Sequence, residues 1–310
     1  MRSYTVVGLG AIGGYYGARL HQAGHPVRFL ARSDAAHVRG HGLRVDSIDG
    51  DAVLEVDVYD DPALVPPSDS IIVAVKTTAT AGVLDLLAPL VASDGSVLVM
   101  QNGLGVDALV ADAVPDDIAV LGVMCFMCCN KVGPGHIHHL DQGAVAMGEH
   151  RADGAPAGVT PAVEAAVADL GAAGVTATAL ADLETGRWQK LVWNMAFNGL
   201  SVTADAQTDQ LVNDPELRAR AIEIMGEVVA AAAAVGHGFD AGFIDRMVTT
   251  TEAMTPYKPS MKLDFEAGRA LELDAIYAAP IAAARAAGTD MPASAALLAQ
   301  LRTLDPAGPS

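Results

Sequence analysis

The chain has 310 residues, 51% of them hydrophobic and 18% charged, with a formal net charge of −18. That length suggests roughly two domains, and the composition excludes wholesale disorder. The acidity argues against nucleic acid or an anionic membrane surface as a partner, so an anionic ligand must rely on local positive groups.

Three cysteines make no disulfide framework, and a reducing, cytoplasmic compartment is expected. The N-terminus MRSYTVVGLGAIGG turns glycine-rich too soon for a signal peptide, and no run of about 18 uncharged apolar residues predicts a membrane span.

In chain order, the apolar run Tyr4–Gly8 ends in glycines. A helical pattern, IGGYYGARLHQAG, follows, and then a second strand, VRFLAR. This is the layout of a βαβ unit. SIIVAV (Ser70–Val75), SVLVM (Ser96–Met100) and AVLGVM (Ala119–Met124) read as buried parallel strands, with helical stretches such as TAGVLDLLAPLV between them. HIHHLDQGAVAMG, from His136 to Gly148, alternates loosely and is expected to be an extended hairpin. A loop, EHRADGAPAGVT, the helix PAVEAAVADLGAAG and the strand-like VTATAL follow. From Asp182 onward helical patterns dominate and strand signals vanish, so a boundary is placed near residue 181. The run VVAAAAAVG, after Glu223 and Glu227, reads as a packed helix, and the tail DPAGPS as disordered.

The G-L-G-A-I-G turn joins that first strand to the first helix. Gly8 permits the tight turn, Gly10 lets the backbone approach a pyrophosphate, and Gly13 lets helix and strand pack closely. The helix N-terminus at Ala11 and Ile12 faces the anion. In NAD-type sites an acidic residue ends the second strand and binds the ribose hydroxyls. Here the strand ends in Arg32 and Ser33. A guanidinium suits a 2′-phosphate, so NADP is expected over NAD, although Asp34 stands close by. The next two strands run into Lys76 and into Gln101-Asn102-Gly103. In open α/β sheets ligands bind beyond these carboxyl ends, which places Lys76 and Asn102 to touch cofactor or substrate.

In the stretch WQKLVWNMAFN, Lys190, Asn194 and Asn198 recur every four residues, and Arg187 falls on the same line. A helix turns about 100° per residue, so these groups share one narrow stripe. Apolar residues cover the rest of the circumference, unlike an ordinary surface helix. The pattern predicts a helix buried on most sides. C-F-M-C-C followed by H-I-H-H matches no standard spacing of zinc ligands, and no metal is expected. Lys262 and Asp264, two apart, lie on different helix faces, so at most one shares the face of Ser260.

Taken together, GLGAIG, VAVKT around Lys76, QNGLG around Asn102, GPGHIHH from Gly133, RWQKLVWNMAFN, and SMKLDFEAGRALELDAI from Ser260 resemble the ketopantoate reductase (2-dehydropantoate 2-reductase) family, over nearly the whole chain. The resemblance implies a Rossmann-like α/β dinucleotide-binding domain (1–181) followed by an all-α domain (182–310), with the stripe facing the cleft between them. It implies hydride transfer from NADPH to the ketone of a 2-keto acid, most plausibly 2-dehydropantoate on the way to pantothenate. It makes Lys190 the catalytic lysine, Asn194, Asn198, Ser260 and Glu272 substrate contacts, and Lys76 and Asn102 the cofactor-side pair. Glu272 could instead hold Lys190 in place. A small-molecule keto acid is the expected partner, with a homodimer as a possible assembly. Two features depart from the family pattern. Tyr277 and Ala278 stand where many members have Asn-Gly, and Cys125, Met127, Cys128 and Cys129 form an unusual lining that would alter the substrate pocket. A related NAD(P)-dependent oxidoreductase of another 2-keto or 2-hydroxy acid, and a non-catalytic NADP sensor, are the alternatives.

Overall fold

A computed structural model of the chain describes residues 1–308. It divides into two compact units, one of residues 1–101 and 106–183, the other of residues 102–105 and 184 onward.

The first unit opens on short, largely apolar strands. β1 (Tyr4–Val7) is buried along its whole length, as a central strand covered on both faces must be. α1 (Ala11–Gln22), β2 (Val27–Leu30), α2 (Ala35–His41), β3 (Leu43–Ser47), β4 (Ala52–Leu54), β5 (Asp57–Tyr59) and β6 (Ser68–Val73) follow. Then come α3 (Leu84–Leu90), β7 (Val91–Val99), α4 (Val106–Ala111), β8 (Ala119–Gly133), β9 (His136–Glu149), α5 (Pro161–Ala172) and β10 (Ala177–Ala179). All ten strands join one sheet in the order β4-β3-β9-β8-β7-β6-β1-β2-β5, with β10 beside β9. The run from β5 to β8 is parallel throughout. Its order, outward in both directions from β1, is that of a doubly wound dinucleotide-binding sheet, with the switch point between β1 and β6. The turns after β1 and β6 therefore flank the crevice in which such sheets hold ligands.

Three details differ from the expectations drawn from sequence. His136–Gly148 is not itself a hairpin. It is most of one strand, β9, paired antiparallel with a similarly long β8. The reversal lies earlier, at Gly133–His136, where Gly135 has φ +57°. The stretch TAGVLDLLAPLV divides into a 3₁₀ turn (Thr77–Gly82) and α3. The strands β3, β4 and β5 are too short or too polar to announce themselves, and their partners supply the order. β3 pairs with β9, which lies about ninety residues later in the chain.

The second unit is helical: α6 (Leu183–Thr203), α7 (Thr208–Asn213), α8 (Pro215–Ala234), α9 (Phe243–Ala253), α10 (Ser260–Glu266), a π-helical turn (Asp274–Ala278), α11 (Ala279–Ala286) and α12 (Pro292–Leu304). Its core gathers Trp188, Leu191, Met195 and Phe197 of α6 with Val228, Ala231 and Ala232 of the alanine-rich α8. Small side chains let α8 approach closely. Of the tail expected to be disordered, Asp305 is tied down: its carboxylate accepts from the Leu271 and Ala307 N–H groups. Pro309 and Ser310 lie outside the described residues.

Glu227 of α8 caps α12 from outside. Its carboxylate accepts from the N–H groups of Ala293 and Ser294 at 2.7 and 2.8 Å and from the Ser294 hydroxyl at 2.7 Å. These are donors at a helix start that has no intrahelical acceptors. Glu227→Ala strands them, and is expected to destabilise the chain by about 2–3 kcal/mol. Thermal denaturation should show a melting temperature several degrees lower, with Glu227→Gln in between. An unchanged Tm for Glu227→Ala would show the cap to be dispensable.

Candidate active site

The glycine turn after β1 has three distinct reasons for its three glycines. Gly8 has φ +105°, and a Cβ there would lie 2.8 Å from Val75 Cγ1. A Cβ on Gly13 would lie 2.2 Å from the Gly8 carbonyl oxygen, so α1 can pack down only without one. Gly10 differs. Its φ is −89°, open to any residue, and a Cβ would meet nothing nearer than the Ala74 carbonyl oxygen at 3.9 Å. Nothing in the chain itself requires glycine at position 10. The open space beside it suits a group that approaches the backbone closely. Gly10 is also the N-cap of α1 and supplies no capping side chain, and the first intrahelical bond is Gly14 N–H to Gly10 C=O at 2.9 Å. The N–H groups of Ala11, Ile12 and Gly13 are left for an anion. The cradle fits a dinucleotide pyrophosphate.

At the end of β2, Arg32 and Asp34 part ways. Arg32 is exposed and forms no hydrogen bond or ion pair among the described residues. Asp34 is 4% exposed. It forms an ion pair with Lys131 of β8, accepts from the Gly135 N–H at 3.3 Å, and accepts from the Ser33 hydroxyl at 3.1 Å. Burial raises its carboxyl, but Lys131 and the Gly135 N–H outweigh that and hold it below the usual range. The acidic residue that could read a ribose diol is thus turned inward, and the guanidinium is left facing outward.

Lys76 is exposed and follows β6 directly, at the N-cap of the 3₁₀ turn. The Gln101 side chain fastens this corner from the end of β7, donating to the Val75 carbonyl at 2.9 Å and to the Thr80 hydroxyl at 2.7 Å. Asn102 groups with the helical unit. The reason is local: Gly103, at φ +96°, lies so close to Ala275 that a Cβ would come within 2.5 Å of that residue's backbone, and the Leu104 N–H donates to the Ala275 carbonyl at 2.9 Å.

In the helical unit, the polar stripe of α6 is almost wholly enclosed. From Arg187 to Leu200 only Gln189 is exposed, and Lys190 is half-buried. Asn194 is 6% exposed and Asn198 is 2% exposed. Asn194 Nδ2 and Asn198 Oδ1 are buried with no hydrogen-bond partner. A buried polar atom left so costs about 1–3 kcal/mol, and two of them one turn apart on one face are suited to an external ligand. Glu272 is buried, and Ser260 is half-buried as the first residue of α10.

Tyr277 was not legible as a support of this helix. It is fully buried, and its hydroxyl donates to the Met195 carbonyl at 2.8 Å. It also accepts from the Gly199 N–H, and burial raises its pKa far out of reach. Gly199 admits the ring: a Cβ there would lie 2.4 Å from the Tyr277 oxygen. The phenol thus wedges into the α6 backbone ladder one residue past the Asn194–Asn198 pair. The paired signal was a glycine mid-helix and a tyrosine in an otherwise aliphatic run. The cysteines, expected to alter a substrate pocket, are all buried. Cys125 and Cys129 belong to the core under α1, and Cys129 Sγ lies 3.8 Å from the Ala11 carbonyl oxygen. Burial pushes the Cys128 thiol up to about 11 and the Cys129 thiol up to about 12. Among the described residues no group of three or more His, Cys, Asp or Glu could hold a metal.

The family model "Ketopantoate reductase PanE/ApbA" matches residues 4–152, and its C-terminal counterpart matches residues 182–305. The chain belongs to the ketopantoate reductase family. It is 43% identical over 305 residues to the 2-dehydropantoate 2-reductase of Nostoc sp., covering 98% of this chain and 95% of that protein. The crystal structure of 2-dehydropantoate 2-reductase from Geobacter metallireducens is similar at a TM-score of 0.90 and 37% identity, over 96% of this chain and 99% of that one. The ternary structure of D-mandelate dehydrogenase with NADH and anilino(oxo)acetate shares the fold at a TM-score of 0.86 and 20% identity, over 97% of this chain and 98% of that one. This member of the family is an oxidoreductase acting on CH–OH groups. No helix among the described residues is long and apolar enough to cross a membrane.

Proposed function

We propose that the chain reduces a small 2-keto acid, 2-dehydropantoate, to pantoate with NADPH, a step of pantothenate biosynthesis. The observation that carries this reading is the enclosed α6 stripe, where Lys190 is followed by two buried carboxamides with unpartnered atoms. The first unit would hold the cofactor: the pyrophosphate on the backbone of Gly8, Gly10, Ala11, Ile12 and Gly13, the 2′-phosphate on Arg32, with Lys76 and Asn102 nearer the reacting end. Bound NADPH supplies the hydride. As negative charge develops on the ketone oxygen, the Lys190 ammonium hydrogen-bonds it and donates the proton, combining electrostatic stabilisation with general-acid catalysis. Asn194 and Asn198 orient the substrate without adding charge, and Ser260 bonds its carboxylate. Glu272 takes a substrate hydroxyl or positions Lys190.

A panel of 2-keto acids assayed with NADPH and with NADH, followed by nicotinamide absorbance, tests this directly. The highest kcat/KM should belong to 2-dehydropantoate with NADPH. Faster turnover of a keto acid without its hydroxyl would move the assignment to another member of that substrate class. Arg32→Ala should weaken NADPH by about tenfold or more and leave NADH nearly unchanged, because only NADPH carries the phosphate. Equal losses for the two cofactors would remove Arg32 from phosphate recognition.

A further inference from the structure

The corner that receives the adenosine ribose contains a charge pair that the reaction does not use. Asp34 sits two residues past Arg32, in the region where an acidic side chain reads the ribose hydroxyls of NAD. Lys131 reaches it from the far end of β8, ninety-seven residues away in sequence. The hairpin turn completes the hold. Gly135 has φ +57°, and a Cβ there would lie 2.5 Å from Val38 of α2, so the turn is pressed onto that helix and its N–H reaches the Asp34 carboxylate. The Gly135 carbonyl accepts from the Arg44 N–H at 2.8 Å, locking the same turn to β3. Neighbouring charges are also paired. Arg39 forms two bonds to Asp60, at 3.0 and 2.7 Å, and Arg44 pairs with Asp46. Arg32 is left as the uncompensated charge of the loop.

We infer that Lys131 sets cofactor selectivity by holding Asp34 away from the 2′-phosphate that Arg32 receives. The inference rests on the NADPH reading above. A carboxylate enclosed without a counter-ion is costly, so Asp34 deprived of Lys131 turns outward. There it repels a phosphate dianion or pairs with Arg32 and neutralises it. Either course weakens NADPH. Neither harms NADH, whose free 2′-hydroxyl can donate to the same carboxylate. Lys131 touches no reacting atom and acts through Asp34, which makes it a positioning residue.

The test compares kcat/KM for NADPH and NADH in four proteins: wild type, Lys131→Met, Asp34→Asn and the double variant. Lys131→Met should lower the NADPH/NADH ratio about tenfold or more through the KM for NADPH, with kcat at saturating NADPH unchanged. Asp34→Asn should keep or raise the ratio. The double variant should return it close to the wild-type value, since the misplaced anion is gone. A structural role alone gives no such rescue. Should Lys131→Met fail to fold, Lys131→Gln gives the same readout. A Lys131 variant with the wild-type ratio, or a double variant as impaired as the single one, overturns the inference. A wild-type enzyme that prefers NADH, or an Arg32→Ala variant that loses both cofactors equally, overturns the NADPH reading itself, and the two failures are separately visible.

Discussion

Lys190→Ala should lower kcat by about 10²–10⁴ while leaving NADPH affinity close to wild type. That is about 2.7–5.4 kcal/mol of transition-state stabilisation. Lys190 is half-buried, one turn before Asn194 on a helix whose other faces fill the core of its unit. An ammonium partly removed from water acts on a developing oxyanion far more strongly than a solvated one. The glycine turn that would bind the pyrophosphate belongs to the other unit, so truncating Lys190 leaves it intact. Stopped-flow turnover and cofactor fluorescence titration separate the two quantities. A variant with turnover near wild type would take Lys190 out of the mechanism. A variant that also lost NADPH would point to a cofactor-binding role instead.

Gly10→Ala and Gly13→Ala should fail in opposite ways. An added methyl at Gly13 meets the Gly8 carbonyl oxygen at 2.2 Å, Val6 Cγ1 at 2.9 Å and Ala74 Cβ at 3.0 Å. Backbone cannot yield as a flexible side chain can, so α1 must lift from the sheet. The expected cost is about 3 kcal/mol, seen as a lower denaturation midpoint together with lost cofactor binding. At Gly10 the same methyl meets no atom closer than 3.9 Å, and the backbone conformation is open to alanine. Stability should stay within about 1 kcal/mol of wild type, since the freedom lost by the unfolded chain offsets the poorer N-cap. NADPH affinity should nevertheless fall at least about tenfold, because the methyl occupies the space into which a pyrophosphate must come. A stable Gly10→Ala protein with wild-type cofactor affinity would disprove the role given to this turn.

Much of this is legible in the sequence. The first strand, turn and helix announce themselves by an apolar run, spaced glycines and helical periodicity, each a property of neighbouring residues. The stripe on α6 is equally local, since spacing by four dictates a shared face whatever surrounds it. The strand β9 resembles a hairpin in sequence because its hydrophobic alternation is loose. Its extended form is maintained by pairing with β8, and a chain reversal placed inside it would have broken that ladder. Asp34 stood as an unresolved competitor to Arg32 because two residues of separation say nothing about direction.

Residue order alone determined the glycine turn after β1, the buried character of α6 and the positions of its polar groups, because backbone preference and helical geometry act over a few residues. Tertiary structure decided which charge after β2 faces outward, what wedges into α6 and where the glycine turn leaves open space. Those outcomes depend on Lys131 meeting Asp34, on Tyr277 meeting Gly199 and on empty space beside a backbone. Contacts between groups about a hundred residues apart, and the room left between them, exist only once the chain has packed.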